Sequence, residues 1–257
     1  MVVDPEFAER LATVRARIAR AAEQGGRPVD AVTLVGASKT VAAARLLAAV
    51  AAGLTDLGEN RVQEAEAKIE VVRAAGGPTP VWHLIGHLQS NKARRAVALF
   101  DWIHSVDSPR LADALDRLAA EFGKRPRVLI EVNTAGEASK EGVAPGEALA
   151  LAEHVARLPH LELRGLMTVG PLVERPEDAR PAFRALAGLR AVALRGPAGA
   201  SGRFDTLSMG MSGDFEVAIE EGATMVRIGS ALFGARAAQH PQNAEHAELE
   251  RRDGRCS

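Results

Sequence analysis

Eight short, β-rich apolar runs recur along this chain, and segments of helical period lie between them. The runs are VTLVGAS (32–38), TDLGEN (55–60), VWHLIG (81–86), DWIHSVD (101–107), RVLIEVN (127–133), LRGLMTVG (163–170), FDTLSMG (204–210) and TMVRIGS (224–230). Several are almost continuously apolar, the pattern of parallel strands covered on both faces. Between them, Leu111, Leu115 and Leu118 form an apolar stripe behind Ser108-Pro109, an N-cap followed by a first-turn proline. Leu151, Val155 and Leu158 repeat the stripe up to Pro159. Further helices are expected over 61–74, 178–189 and 5–24.

Eight β-then-α units joined by short connections predict an α/β fold, a single closed (β/α)8 barrel. The 257 residues match the roughly 250 that such a barrel takes. An open doubly wound sheet is the rival, but no G-x-G-x-x-G follows the first run. No Gly, Ser or Pro-rich linker divides the chain. Residues 1–236 therefore read as one barrel domain with an extra N-terminal helix. Residues 237–257 read as a polar, disordered tail. RGPAGASGR (195–203) reads as a loop before the seventh strand.

A formal net charge of −1 gives no long-range attraction to nucleic acid or anionic membrane. The single cysteine, Cys256, excludes an internal disulfide and a cysteine-based metal site. The first residues contain no apolar h-region. Leu46 to Leu54, the longest apolar helical run, is far shorter than the roughly 18 residues of a membrane span. The expectation is a cytoplasmic protein with no nucleic-acid or membrane partner. No long exposed apolar helix demands a dimer, so a monomer is expected.

In a barrel, chemistry collects where strands end. Those positions hold Lys39, Asn60, His83, Ser105, Asn133, Thr168, Ser208, Arg227, Gly229 and Ser230. Lys39 reads either as a surface lysine past a strand or as a lysine at an apolar mouth. Desolvation at such a mouth favours the free amine and makes it competent to form a Schiff base. GSALFG (229–234) and SMGMSGD (208–214) read either as ordinary turns or as a phosphate cup, with Ser212 capping the following helix. Arg227 lies inside an apolar run and needs either an ion-pair partner or a ligand. His83 lies in a similar run and reads as a core histidine or a site residue. His87 and His104 read as structural or exposed. No spacing suggests a metal site, and no G-x-S-x-G suggests a serine hydrolase.

The segments GASKT (36–40), LGENRVQE (57–64), WHLIGHLQSNK (82–92), SKEGV (139–143), LSMGMSGDFEVAI (207–219) and MVRIGSALFG (225–234) together form a specific combination. Through them the chain resembles the YggS/PROSC type of pyridoxal phosphate homeostasis protein, from about residue 30 to 236. The resemblance implies a barrel similar to the N-terminal domain of alanine racemase, carrying pyridoxal 5′-phosphate (PLP) as a Schiff base on Lys39. It implies phosphate contacts at Ser212, Gly229 and Ser230, with Ser208 at the base of the same loop. Asn60 would lie beside the cofactor ring and Arg227 would face the pyridine nitrogen. Lys92 and Lys140 match additional cofactor lysines. The departures, Val41, Ala42 and Ala43 after the lysine and Gly213 in the cup, remove none of these contacts.

The resemblance implies a non-catalytic carrier that passes PLP to apo-enzymes. The alternative is a fold-type III PLP enzyme such as an amino-acid racemase. Alanine racemase also places an arginine at the ring nitrogen, but takes its second base from a tyrosine in another domain. This chain has no tyrosine and no apparent second domain. A third reading is a barrel enzyme acting on phosphorylated sugars, with Lys39 forming a Schiff base with substrate.

Overall fold

The computed structural model describes residues 3–137, 140–200 and 202–234. The expected tail lies outside the described residues. All eight strands form, are parallel, and close in sequence order. They are β1 (Thr33–Ala37), β2 (Asp56–Glu59), β3 (Val81–Leu84), β4 (Trp102–Val106), β5 (Arg127–Glu131), β6 (Glu162–Met167), β7 (Thr206–Ser208) and β8 (Met225–Ile228).

The chain enters through α1 (Pro5–Gln24), which starts where expected. Asp4 caps it, its side chain accepting from the Glu6 and Phe7 N–H groups, and Pro5 supplies a preset φ in the first turn. Phe7, Leu11, Val14 and Ile18 form its buried stripe. The helices α2 (Ala43–Ala51), α3 (Val62–Ala74), α4 (Ala93–Leu99), α5 (Pro109–Phe122), α6 (Pro145–Ala156) and α7 (Arg180–Ala193) surround the strands. The short α8 (Phe215–Glu220) and α9 (Ser230–Phe233) complete the ring. Beyond the ring, α1 packs on α8 and α9. The Phe7 and Phe233 rings lie 5.4 Å apart, and Arg17 stands 4.6 Å over the Phe215 ring.

Three boundaries differ from the sequence expectation. Helix α6 ends at Ala156, so Leu158 follows it rather than completing its stripe. The residue before a proline disfavours the α region, and the chain leaves the helix before reaching Pro159. Helix α7 is preceded by a 3-10 turn at Pro176–Ala179. Another 3-10 turn, Pro197–Gly199, lies within the expected 195–203 loop.

Two apolar assemblies result. The larger fills the space between strands and helices and is mostly aliphatic, as the 4% aromatic content requires. The smaller lies inside the barrel and comprises Val35, Trp102, Leu129, Met167 and Met225. Trp102 stacks on His83, with centroids 5.5 Å apart, and the Arg127 and Arg164 guanidinium groups lie 5.4 and 5.6 Å from the indole. Buried polar residues accompany this cluster, including His83, His104, Ser208, Glu131 and Arg227. Burying so many polar groups is costly unless each has partners. Among the described residues no helix is long and apolar enough to cross a membrane.

Candidate functional site

Lys39 follows β1 at the carboxyl end of the barrel, and its side chain is exposed. Of the two readings the sequence left open for it, the structure shows the exposed one. What holds Lys39 is the chain around it. Ser38 is buried and donates to the Glu59 carboxylate through its hydroxyl. Lys68 Nζ donates to Ser38 O at 2.8 Å and to Glu59 Oε1 at 2.7 Å. Burial pushes the Glu59 carboxyl up, against the pull of Lys68 and Ser38. Thr40 has φ of 65°, strained for a β-branched residue. The lysine thus sits on a turn whose conformation is imposed by its neighbours.

Asn60 follows β2. Its backbone crosses Gly86 so closely that a Cβ there would lie 2.5 Å from Asn60 O, which explains the glycine after β3. Asn60 also lines a cleft with Gly86, His87, Gln89 and Lys92. Lys140 lies on the loop after β5, where its Nζ donates to Gly170 O at 2.7 Å and pairs with Glu137 at 3.1 Å.

Arg227, on β8, is buried in the barrel. Nη1 donates to both Ser208 O and Ser208 Oγ at 2.7 Å, and Nη2 donates to Thr168 O at 2.8 Å. Among the described residues no carboxylate lies within ion-pair distance of it. Burial pulls its pKa down to about 10, opposed by the fields of Glu131 and Asp214. It remains a cation at neutral pH, with part of its five-donor fork uncommitted to these acceptors. Ser208 is thus a partner of Arg227 as well as a residue at the base of the loop.

Ser212 does not cap α8, which corrects the sequence expectation. The residue before that helix is Asp214, whose Oδ1 accepts from the Met211 N–H at 2.6 Å. Ser212 Oγ instead crosses to the strand-eight loop and accepts from the N–H groups of Gly229 at 3.2 Å and Ala231 at 3.4 Å. Two backbone donors therefore converge on one oxygen, the kind of geometry that suits an oxyanion. Gly210, with φ of 93°, permits the turn that brings Ser212 there. Ser230 opens α9 and is exposed beside this point.

The fold withdraws His83 from the mouth. Its ring is fully buried, with Nε2 2.9 Å from Asp56 Oδ1 and Nδ1 3.0 Å from His104 Nε2. Both ring nitrogens are engaged by protein, so it matches the core-histidine reading. His104 is likewise buried rather than exposed. His87 sits at the rim, Nδ1 3.4 Å from Asp107 and 3.5 Å from Glu141.

Sequence reasoning missed Glu131. It ends β5, is 5% exposed, and its Oε2 has no hydrogen-bond partner among the described residues. Burial pushes its carboxyl up to about 7; Arg227 opposes the shift, and Asp107 and Glu141 add to it. The signal was available, since a charge within the apolar run RVLIEVN is the same cue that marked Arg227. The Glu59–Lys68 support of the lysine turn had no such cue, because it joins residues on different elements.

The donor set fits PLP. It offers an accessible primary amine at Lys39, a buried guanidinium at Arg227 with no carboxylate at ion-pair distance among the described residues, and convergent backbone N–H groups at Ser212 for a phosphate. A family model described as "Alanine racemase, N-terminal domain" matches residues 10–237. A pyridoxal phosphate homeostasis protein of Pseudomonas aeruginosa is 47% identical over 232 residues, covering 90% of this chain and 96% of that protein. PipY of Synechococcus elongatus, solved with PLP bound, is 39% identical with a TM-score of 0.76, covering 89% of this chain and 100% of that one. An alanine racemase of Clostridium difficile shares the fold, with a TM-score of 0.68 at 14% identity; the match covers 92% of this chain and 62% of the racemase. The chain accordingly belongs to the alanine racemase N-terminal-domain family, among its pyridoxal phosphate homeostasis proteins.

Proposed function

We propose that this chain is a PLP carrier: it binds the cofactor at the barrel mouth, holds it through Lys39 as a Schiff base, and releases it to apo-enzymes in the cytoplasm. The observation that carries this reading is the combination of an exposed Lys39 with a buried Arg227 that lacks an ion-pair carboxylate at the same end of the barrel. The relatives' names and the PLP-bound PipY support it.

When bound, PLP supplies an aldehyde for amines and a ring that draws electrons from the attached carbon. The ring draws strongly when its nitrogen is protonated, which an acidic neighbour favours. Arg227 cannot accept a proton and would instead donate to that nitrogen, leaving it unprotonated. Ser212, Gly229 and Ser230 would anchor the phosphate, and Asn60 would lie beside the ring. Lys92 and Lys140 are secondary lysines that would take up the cofactor only as Lys39 hands it on. Because Lys140 is committed to Gly170 and Glu137, it must break those contacts first.

The test is a spectrum. Protein incubated with PLP and desalted should retain an absorbance band near the visible edge. Adding an amino acid should shift that band without measurable racemisation. Turnover at rates typical of enzymes would overturn the carrier reading in favour of a racemase. No retained band would overturn PLP binding itself.

A second measurement addresses the phosphate cup. Replacing Ser212 and Ser230 together with Ala should weaken PLP binding by on the order of 1–3 kcal/mol for each charged hydrogen bond lost. A PLP titration showing unchanged affinity would contradict the cup.

A further inference from the structure

An unbroken chain of side-chain hydrogen bonds runs through the barrel from Arg227 to its opposite end. Arg227 Nη1 donates to Ser208 Oγ at 2.7 Å. Ser208 Oγ lies 3.1 Å from His104 Nδ1. His104 Nε2 lies 3.0 Å from His83 Nδ1, and His83 Nε2 lies 2.9 Å from Asp56 Oδ1. Ser208, His104 and His83 are completely buried. Asp56 opens β2, so it sits at the end of the barrel away from Lys39, where it lines a cleft with Asp30, Thr33 and Thr55.

The two ends decide which way every proton points. A guanidinium only donates, so the Ser208 oxygen accepts from Arg227 and must send its own O–H elsewhere. Its other partner among the described residues is His104 Nδ1, which therefore carries no proton. A neutral imidazole then holds its proton on Nε2 and donates it to His83 Nδ1. His83 in turn carries its proton on Nε2 and donates to Asp56. An ionised carboxylate only accepts, so the far end requires the same direction as the near end. The charge states agree. Burial drives His104 well below the usual histidine range, and the neighbouring His83 ring and the Arg227 charge add to it. Burial also lowers His83, against the pull of Asp56. Asp56 is held below the usual carboxylate range: burial pushes it up, but the hydrogen bonds from His83 and Thr55 outweigh burial.

We propose that Ser208, His104, His83 and Asp56 form a one-way hydrogen-bond relay, its direction set by Arg227 and Asp56, that holds the Arg227 guanidinium in place towards the PLP ring nitrogen and offers that nitrogen no proton. The inference rests on the reading that PLP lies with its nitrogen against Arg227. Every mobile proton in the relay points towards Asp56 and away from the mouth. The imidazoles cannot reverse while Arg227 occupies one end and a carboxylate the other. Asp56, His83 and His104 are positioning residues: they act on the ring through Arg227 and do not touch it. The relay would keep the ring a weak electron sink, which suits a carrier.

Histidine-labelled protein without PLP gives the first readout, by imidazole 15N NMR at neutral pH. His83 and His104 should each be neutral and protonated at Nε2 alone. A cationic ring, or a proton on Nδ1 of either, overturns the relay whatever the protein does with PLP. The second readout is the 15N shift of the ring nitrogen of labelled PLP bound to wild type and to Asp56→Asn. The amide keeps the shape but removes the charge and can donate as well as accept. The bound nitrogen should be unprotonated in wild type, and its signal should move in the variant although residue 56 lies at the far end of the barrel. A protonated nitrogen in wild type, or an unmoved signal in the variant, overturns the proposal. Absence of any bound-PLP signal sinks the cofactor reading instead, while the imidazole shifts still judge the relay. The wild-type measurements decide the matter even if the variant does not fold.

Discussion

Borohydride reduction of the PLP-loaded protein is expected to leave the cofactor covalently on Lys39, and Lys39→Ala is expected to leave no reduced adduct on the chain. The expectation follows from how the lysines near the mouth are occupied. Lys68 is committed to Ser38 O and Glu59. Lys140 is committed to Gly170 O and Glu137. Lys39 is exposed on a turn that the Ser38–Glu59–Lys68 contacts hold in place. An amine attacks an aldehyde only with its lone pair free and its approach open, and Lys39 meets the second condition best. Peptide mapping of the reduced protein by mass spectrometry checks this directly. A reduced adduct on Lys92 or Lys140 in the Lys39→Ala protein would show that the anchor lies elsewhere.

Glu131→Gln should stabilise the cofactor-free protein at pH 8 and leave it nearly unchanged at pH 4. In the fold the Glu131 carboxyl titrates at about 7, whereas the ordinary value is 4.5. As pH rises, the unfolded chain loses this proton first. Stability is therefore complete below about 4.5 and falls until the folded group has also ionised, above about 7. At about 1.4 kcal/mol per pKa unit, the loss at pH 8 is of order 3 kcal/mol. The pull of Arg227 is already part of that balance. A neutral amide removes the penalty, giving a Tm gain of roughly 6–12 °C for a domain of this size. Thermal melts of both proteins at the two pH values provide the check. An equal difference at pH 4 and pH 8 would assign the effect to packing instead of charge.

The Glu131 case also shows what could and could not be read in advance. Strand alternation marked all eight strands because burial on both faces leaves a local trace, a short apolar run. The α1 boundaries were equally legible, since Asp4 and Pro5 write the start of the helix into the sequence. The end of α6 was not, because Leu158 continues an apolar period that the backbone has already left. Ser212 stood out in the sequence as a candidate phosphate contact, but the contact it makes in the fold did not. Its position before a helix suggested a cap, whereas its hydroxyl reaches the loop after β8. Nothing local distinguishes the two.

The absence of tyrosine and the single cysteine remove side-chain chemistry that no folding of these residues can restore. Strand count, barrel class, the lysine after the first strand and the arginine within the eighth were likewise written in the chain, because each depends on residue type and on neighbours along it. Closure of the barrel decided the rest. Only closure puts β2, β3, β4, β7 and β8 around one axis, so that Asp56, His83, His104, Ser208 and Arg227 become consecutive partners although as many as 104 residues separate neighbours in the series. Hydrogen-bond direction and burial are properties of that shared interior. They turned His83 from a candidate ligand contact into a member of the barrel's polar core, and Glu131 from a charge in a strand into a carboxyl that titrates near neutrality.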